Sequence, residues 1–346
     1  MSTPRGRSAR ADRATGRSAR AGEQPPASKP ASATPPRTWQ APLAFPSGLP
    51  PHAAPESFLA QANDLGVVFE AGDVEQLGRY LALLLEANKV INLTSVRDAD
   101  EAWVRHILDA LTLLPVVAGA AADETAASTT EGDHPDTQSQ ARPIRILDVG
   151  TGGGLPGIPL AICVPHARIT LLDATEKKCR FLEHVVSELG LANVTVVHHR
   201  AEAAAHDRGR RIDSGGIARR EGALRASFDV VTARAVGRLA TLLELTVPFA
   251  RVGGLCVLVK GAKAEEELTE AKPTLHLLHA SHAGTVATST GNIVVIEKRR
   301  DTPKMYPRAS GEPKRRPLGV VSTATTASEP EHTSDNDRKT PQNPDA

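Results

Sequence analysis

Apolar residues recur along this chain with two different spacings, and the change of spacing divides it. Val74, Leu77, Tyr80, Leu81, Leu84 and Leu85 follow at three- and four-residue steps up to Asn88, the pattern of one face of an α-helix. Trp103, Ile107, Ala110, Leu111 and Leu114 repeat it, predicting a second helix that stops at Pro115. Ile91-Asn92-Leu93-Thr94 forms the break between them. From Ile144 onward, short apolar runs alternate with helical ones. Strands are predicted at 144–149, 168–173, 194–198, 228–232 and 255–259, and helices at 158–163, 176–189 and 239–247. Gly190 is placed as the stop of the second of these helices. Two last runs, 284–288 and 292–297, predict a hairpin, and so an antiparallel strand inserted into an otherwise parallel sheet. Strands alternating with helices make a doubly wound α/β fold, whose loops gather at the carboxyl edge of the sheet.

The flanks lack this periodicity. Residues 1–55 are rich in Pro, Ala, Ser and Arg, and are predicted to be a disordered basic tail. Residues 301–346 are predicted to be a second disordered tail, basic at first and then polar. The domain between them is expected at 56–300, with a helical cap at 56–118 and a core at 143–300. Low-complexity stretches at 120–142 and 205–226 are expected as insertions. Aromatic residues make up only 3% of the chain, so aliphatic side chains must fill its core.

The net charge of +1 hides an asymmetry. Arg5, Arg7, Arg10, Arg13, Arg17, Arg20, Lys29 and Arg37 face only Asp12 and Glu23 in the first forty residues. Lys298, Arg299, Arg300, Lys304, Arg308, Lys314, Arg315 and Arg316 form a second basic stretch. Such arms suit a polyanionic partner. For the N-terminal arm, a solubilising tail or an organellar transit peptide are the other readings. Cys163, Cys179 and Cys256 have no C-x-x-C spacing, so free thiols in a reducing compartment are expected, without disulfides or a metal site. No apolar run reaches the roughly eighteen residues of a membrane span, so a soluble, cytoplasmic protein without a membrane partner is expected.

Candidate chemistry centres on Ile146-Leu147-Asp148-Val149-Gly150-Thr151-Gly152-Gly153-Gly154-Leu155-Pro156-Gly157, a buried strand running into a glycine turn. Gly152-x-Gly154-x-x-Gly157 fits a dinucleotide fingerprint, and Gly150-x-Gly152-x-Gly154 fits the looser pattern of S-adenosylmethionine enzymes. Asp148, placed near the mouth of the turn, would repel a pyrophosphate and attract a sulfonium and an ammonium. Asp173 ends the second strand, where a carboxylate accepts ribose hydroxyls. Ala201 and Glu202 follow the third strand, where an adenine commonly lies. Arg234 follows the fourth, facing the methyl acceptor. No nucleophilic Cys and no Asn/Asp-Pro-Pro-Tyr/Phe motif stands there, so an acceptor needing no covalent attack, such as a guanine N7, is expected. Asn92, Arg105, His106 and Lys260 are candidate substrate-facing residues; a histidine placed like His106 is more often packed than catalytic, and Arg105 and Arg97 are read either as phosphate contacts or as solvated side chains.

Together these residues resemble the RsmG (GidB) methyltransferases of bacterial small-subunit rRNA. The resemblance runs through Ile91–Val96, Arg105–Asp109, Leu147–Pro159, Thr170–Asp173, Arg200–Glu202, Ala233–Ala235, Leu258–Gly261 and the basic Tyr306–Leu318 ending. It implies a Rossmann-like class I S-adenosylmethionine-dependent methyltransferase: a mostly parallel seven-stranded sheet with an N-terminal helical cap. It also implies methylation of a guanine N7 in the 530 loop of 16S rRNA, with S-adenosylmethionine as donor and no metal. Gly150, Leu155, Ala201, Glu202 and Arg234 would contact the cofactor, joined by Asp148, Gly152 and Asp173. The implied partner is 16S rRNA or the small ribosomal subunit, with no obligate protein partner. Two other functions stay open on sequence: an NAD(P)-dependent oxidoreductase, and a non-catalytic RNA-binding protein on a methyltransferase scaffold.

Overall fold

A computed structural model describes residues 44–128, 142–214, 217–234 and 237–319. Seven strands form one sheet: β1 (Arg145–Val149), β2 (Arg168–Asp173), β3 (Val194–His198), β4 (Phe228–Arg234), β5 (Ala250–Lys260), β6 (Ala280–Thr288) and β7 (Gly291–Lys298). Their order is β3-β2-β1-β4-β5-β7-β6. The first five run parallel, and β7 enters antiparallel between β5 and β6, as the two terminal apolar runs predicted. Successive crossovers leave β1 in opposite directions, toward β2 and toward β4. A crevice therefore opens beyond the carboxyl ends of these strands.

Both faces of the sheet are covered, which explains why Ile146, Leu147 and Val149 of β1 and Val230 and Val231 of β4 are apolar whichever face they point to. One face packs against α1 (Glu56–Asp64), α2 (Asp73–Ala87), α3, α5 (Gly157–Cys163) and α6 (Glu176–Leu189). Here α3 is a continuous helical run made of Ala99–Ala102, a π-helical turn at Trp103–Leu108, and Asp109–Leu111. The other face packs against α8 (Leu239–Thr246), α9 (Ala264–Glu270) and α10 (Lys272–Leu278), the last two not foreseen from periodicity. Two short helices, α7 (Ala201–Ala204) and α11 (Glu312–Arg315), lie at the carboxyl edge. Side chains alternate along strands, so Asp148, Thr232 and Arg234 point to the cap side with Ile146 and Val230.

Several expectations need correction. The chain does not stop being helical at Pro115: α4 spans Leu114–Ser128, with the proline in its first turn, where its missing N–H costs nothing. The cap thus extends past 118 into the stretch expected as an insertion; 129–141 lie outside the described residues. The run Ala99–Ala122 is also long and apolar enough to cross a membrane, contrary to the sequence estimate, yet more than half of its most apolar window is buried inside the protein. Within 205–226 the backbone forms a two-stranded hairpin, Arg210–Ser214 with Ile217–Glu221. Neither flank is a tail throughout. Phe45 packs edge-on against Phe181 at 5.5 Å, and the Gly48 N–H donates to Glu188. At the other end, Tyr306, Pro313 and Leu318 are buried. Residues 1–43 and 320–346 lie outside the described residues.

Candidate active site

The β1–α5 turn is left-handed at Gly150, Gly152 and Gly154, with φ of +69°, +61° and +102°. Its first two amides, of Gly150 and Thr151, donate to the Leu172 carbonyl at 2.8 and 3.2 Å, so the turn continues the β1–β2 pairing. Close packing fixes the rest. A Cβ on Gly154 would stand 2.6 Å from Ile158 Cγ1, and one on Gly157 would overlap Leu171 Cδ2. The Tyr80 hydroxyl of α2 donates to the Gly153 carbonyl at 2.9 Å, bracing the turn from the cap.

Asp148 lies beneath this turn and not at its mouth. It is 0% exposed, and its Oδ2 accepts both the Thr151 hydroxyl (2.6 Å) and the Gly157 N–H (3.0 Å). Oδ1 has no partner. Burial pushes its pKa up to about 6, against the lowering effect of those two hydrogen bonds. The expected electrostatic selection at the mouth therefore needs correcting, because a sealed carboxyl does not project an open field onto an entering ligand.

A cavity of about 810 Å³ opens at the carboxyl ends of β1, β2 and β3. Gly150, Asp173, Ala201 and Glu202 line it, bringing together four of the residues singled out in the sequence. Asp173 holds the glycine turn through Gly152 N–H to Oδ2 (3.0 Å) and its own loop through Thr175 N–H to Oδ1 (2.8 Å). Each oxygen keeps a lone pair for a ligand hydroxyl. Gly152 is thereby tied to the site without forming its wall. Asp148, Leu155 and Arg234 are not among the described lining residues.

Glu202 is 8% exposed, and its Oε1 accepts the Gly311 N–H at 2.8 Å. This bond ties in a segment that the sequence reading took for tail. Arg308 grips the 0%-exposed Glu244 of α8 through its backbone N–H (2.8 Å), Nε (2.9 Å) and Nη2 (2.6 Å). The Thr241 hydroxyl donates to the Pro313 carbonyl at 3.1 Å, and that of Thr274 donates to the Leu318 carbonyl. Arg225 holds the carbonyls of Thr302 and Tyr306. Gly311, Lys314, Arg315 and Pro317 thus complete the cavity, together with Gly237, Arg238, Thr241 and Leu245. The only sequence signal for this wall was the Tyr306–Leu318 motif.

The candidate substrate-facing residues do not converge. Asn92 is exposed, on a loop organised by buried Asn88, whose Oδ1 accepts the Leu93 and Thr94 amides. Arg105 is exposed and pairs with Glu101 at 2.6 Å. His106 is buried. A carbonyl can only accept, so Nδ1 donates to Arg105 O (3.0 Å) and Nε2 accepts the Thr94 hydroxyl (2.7 Å). Burial, aided by the Arg234 charge, pulls its pKa down to about 4, making it a neutral structural group. Lys260 Nζ bonds the Gly237 carbonyl (2.7 Å) and Glu267 (2.8 Å), fixing the entry to α8. Arg234 reaches the cap, where Nη1 meets Asp109 Oδ2 (3.2 Å) and the Arg105 carbonyl (3.3 Å). Asp109 also accepts the Thr290 hydroxyl from the β6–β7 turn. Arg234 is therefore a clamp between sheet and cap.

Among the described residues no cluster of three or more His, Cys, Asp or Glu could hold a metal. Burial pushes the Cys163 and Cys256 thiols up to about 12 and Cys179 up to about 11, so none is an activated nucleophile.

Residues 73–125 and 136–294 match the family model described as rRNA small subunit methyltransferase G. A "Ribosomal RNA small subunit methyltransferase G" of Sorangium cellulosum (strain So ce56) is 43% identical over 268 residues, covering 78% of this chain and 97% of its own length. The protein of the same name from Leuconostoc citreum (strain KM20) is 36% identical over 268 residues, covering 76% and 98% respectively. With its 3-2-1-4-5-7-6 sheet and glycine-turn cavity, the chain belongs to the rRNA small subunit methyltransferase G family.

Proposed function

We propose that this protein transfers a methyl group from S-adenosylmethionine to N7 of a guanine in the 530 loop of 16S rRNA, acting in the cytoplasm. The observation that carries the reading is the single cavity uniting Gly150, Asp173, Ala201 and Glu202 at the ends of β1, β2 and β3. Its donor set suits an adenosine: a carboxylate with spare lone pairs for a ribose diol, and an apolar-plus-carboxylate surface at Ala201 and Glu202 for a base. The donor supplies an activated methyl on a sulfonium. As the N7–carbon bond forms, the sulfur–carbon bond breaks, leaving S-adenosylhomocysteine and a cationic base.

Guanine N7 has a free lone pair and no proton to lose, so the protein's task is to hold, orient and keep water away. The buried, neutral and hydrogen-bonded His106 accords with a reaction that needs no base. Preference over a dinucleotide coenzyme does not rest on Asp148, which is sealed beneath the turn; family membership supports it.

Small subunits from cells lacking this protein, incubated with the purified protein and methyl-labelled donor, provide the test. One labelled 7-methylguanosine, mapped by mass spectrometry to the 530 loop, is the expected result. Label elsewhere, or none on either subunits or naked 16S rRNA, refutes the proposal.

A further inference from the structure

The cavity has a second half that the donor-binding residues do not form. On that side, Arg238 precedes α8, and Lys314 and Arg315 stand on the C-terminal segment that packs against α8, all three exposed. None of them forms an ion pair among the described residues. Arg200 adds a fourth cation at the rim, 3.7 Å from Glu202. Asp173 and Glu202 set two negative charges in the same wall against these four cations, so the lining stays net positive.

These cations are also held in place. Their segment is pinned before α11 by Arg308 on Glu244 and Gly311 on Glu202, and at and after it by Thr241 on Pro313 and Thr274 on Leu318. A backbone fixed at four points presents its charges with less ordering left to do on binding than a free tail would. A net positive cavity mouth attracts a polyanion, and of the two substrates that must reach this cavity, the cationic methyl donor and the RNA acceptor, only the acceptor is one.

We propose that Arg238, Lys314 and Arg315 form a phosphate-binding rim that grips the RNA backbone beside the target nucleotide. Residues 308–318 then serve as a built wall of the RNA site. The inference rests on the rRNA methyltransferase reading and assigns it a substrate-gripping surface.

The test measures binding of a short RNA hairpin carrying the 530-loop sequence to the full chain, across a range of salt concentrations. Each lost contact to a single strand should reduce the log–log salt slope by about 0.7. The triple variant R238A/K314A/R315A should therefore lose about 2 from the slope and about 100-fold in affinity near ~0.1 M salt. R316A, whose side chain lies outside the cavity, should stay close to wild type. R238A alone probes a different element, guarding against a local folding defect in the segment. The proposal is overturned by a triple variant with unchanged slope, by R316A losing as much as the triple variant, or by loss of donor affinity with RNA affinity intact. RNA binding is read without turnover, so a wild-type protein that binds the hairpin but transfers no methyl would refute the methyltransferase reading and leave the rim standing.

Discussion

Two buried ionisable groups on the cap side of the sheet should give opposing pH dependences that conceal one another. His106 stays neutral in the fold, with its pKa drawn from an ordinary 6.5 down to about 4. Between those values the unfolded chain binds a proton that the folded one does not, so stability should rise with pH. The window spans about 2.5 pH units, worth about 3 kcal/mol at ~1.36 kcal/mol per unit. Asp148 does the reverse. Burial lifts its pKa from 3.8 to about 6, so the folded state keeps a proton that the unfolded state has lost. Stability should fall between those values, again by about 3 kcal/mol. Wild type should thus look nearly flat from pH 4 to 6, so far as these two groups decide it. His106→Gln should expose the fall, and Asp148→Asn, which keeps an oxygen for Thr151 and Gly157, should expose the rise. Urea unfolding midpoints at about pH 4.5, 5.5 and 6.5 read both slopes. If the two variants keep the wild-type profile, or tilt the same way, the burial argument is wrong.

Arg308→Ala removes the partner of a fully buried Glu244, a loss of about 3 kcal/mol if the carboxylate stays buried. The cheaper response is for the segment to lift and let Glu244 hydrate, so faster trypsin cleavage at Lys314 and weaker donor binding are expected with little change in the main melt; unchanged cleavage would count against it. Gly157→Ala should cost more stability than Gly152→Ala. At 157 a Cβ meets Leu171 and Asp148, an overpacking cost of about 1–3 kcal/mol or more, whereas at 152 the nearest atom is 3.9 Å away and the left-handed backbone costs about 1 kcal/mol. Thermal melts decide the order. Asp109→Asn weakens a charge-assisted contact to Arg234 by about 2 kcal/mol, so amides of α3 should exchange faster with solvent while those of β1 keep their protection.

The sheet and the two long cap helices were legible because their patterns are local. β1 and β4 are buried on both faces, and α2 buries Leu77, Tyr80, Leu81 and Leu84 on one side, so strand runs and helical spacing were visible directly. The errors came from long-range pairing. The Tyr306–Leu318 stretch is polar and proline-rich, and its place in the fold depends on Glu244, Glu202 and Thr241, each at least 64 residues away in sequence. Lys260 was read as a substrate contact and Arg234 as a cofactor contact because Glu267 and Asp109, with which they pair, sit on other elements. Asp148 lies deeper than the sequence reading placed it. Its position in the motif was readable, but the depth of the glycine turn folded over it was not.

The last described stretch of the chain, at Gly311, closes a chamber begun 161 positions earlier at Gly150, and this fixes a timetable for manufacture. A ribosome delivers β1 and its glycine turn long before it delivers Arg308 and Gly311. Until then the chamber lacks one side and Glu244 stays hydrated. A nascent chain should therefore ignore the methyl donor until residues 308–318 have been made, which spares half-made enzyme from sequestering it.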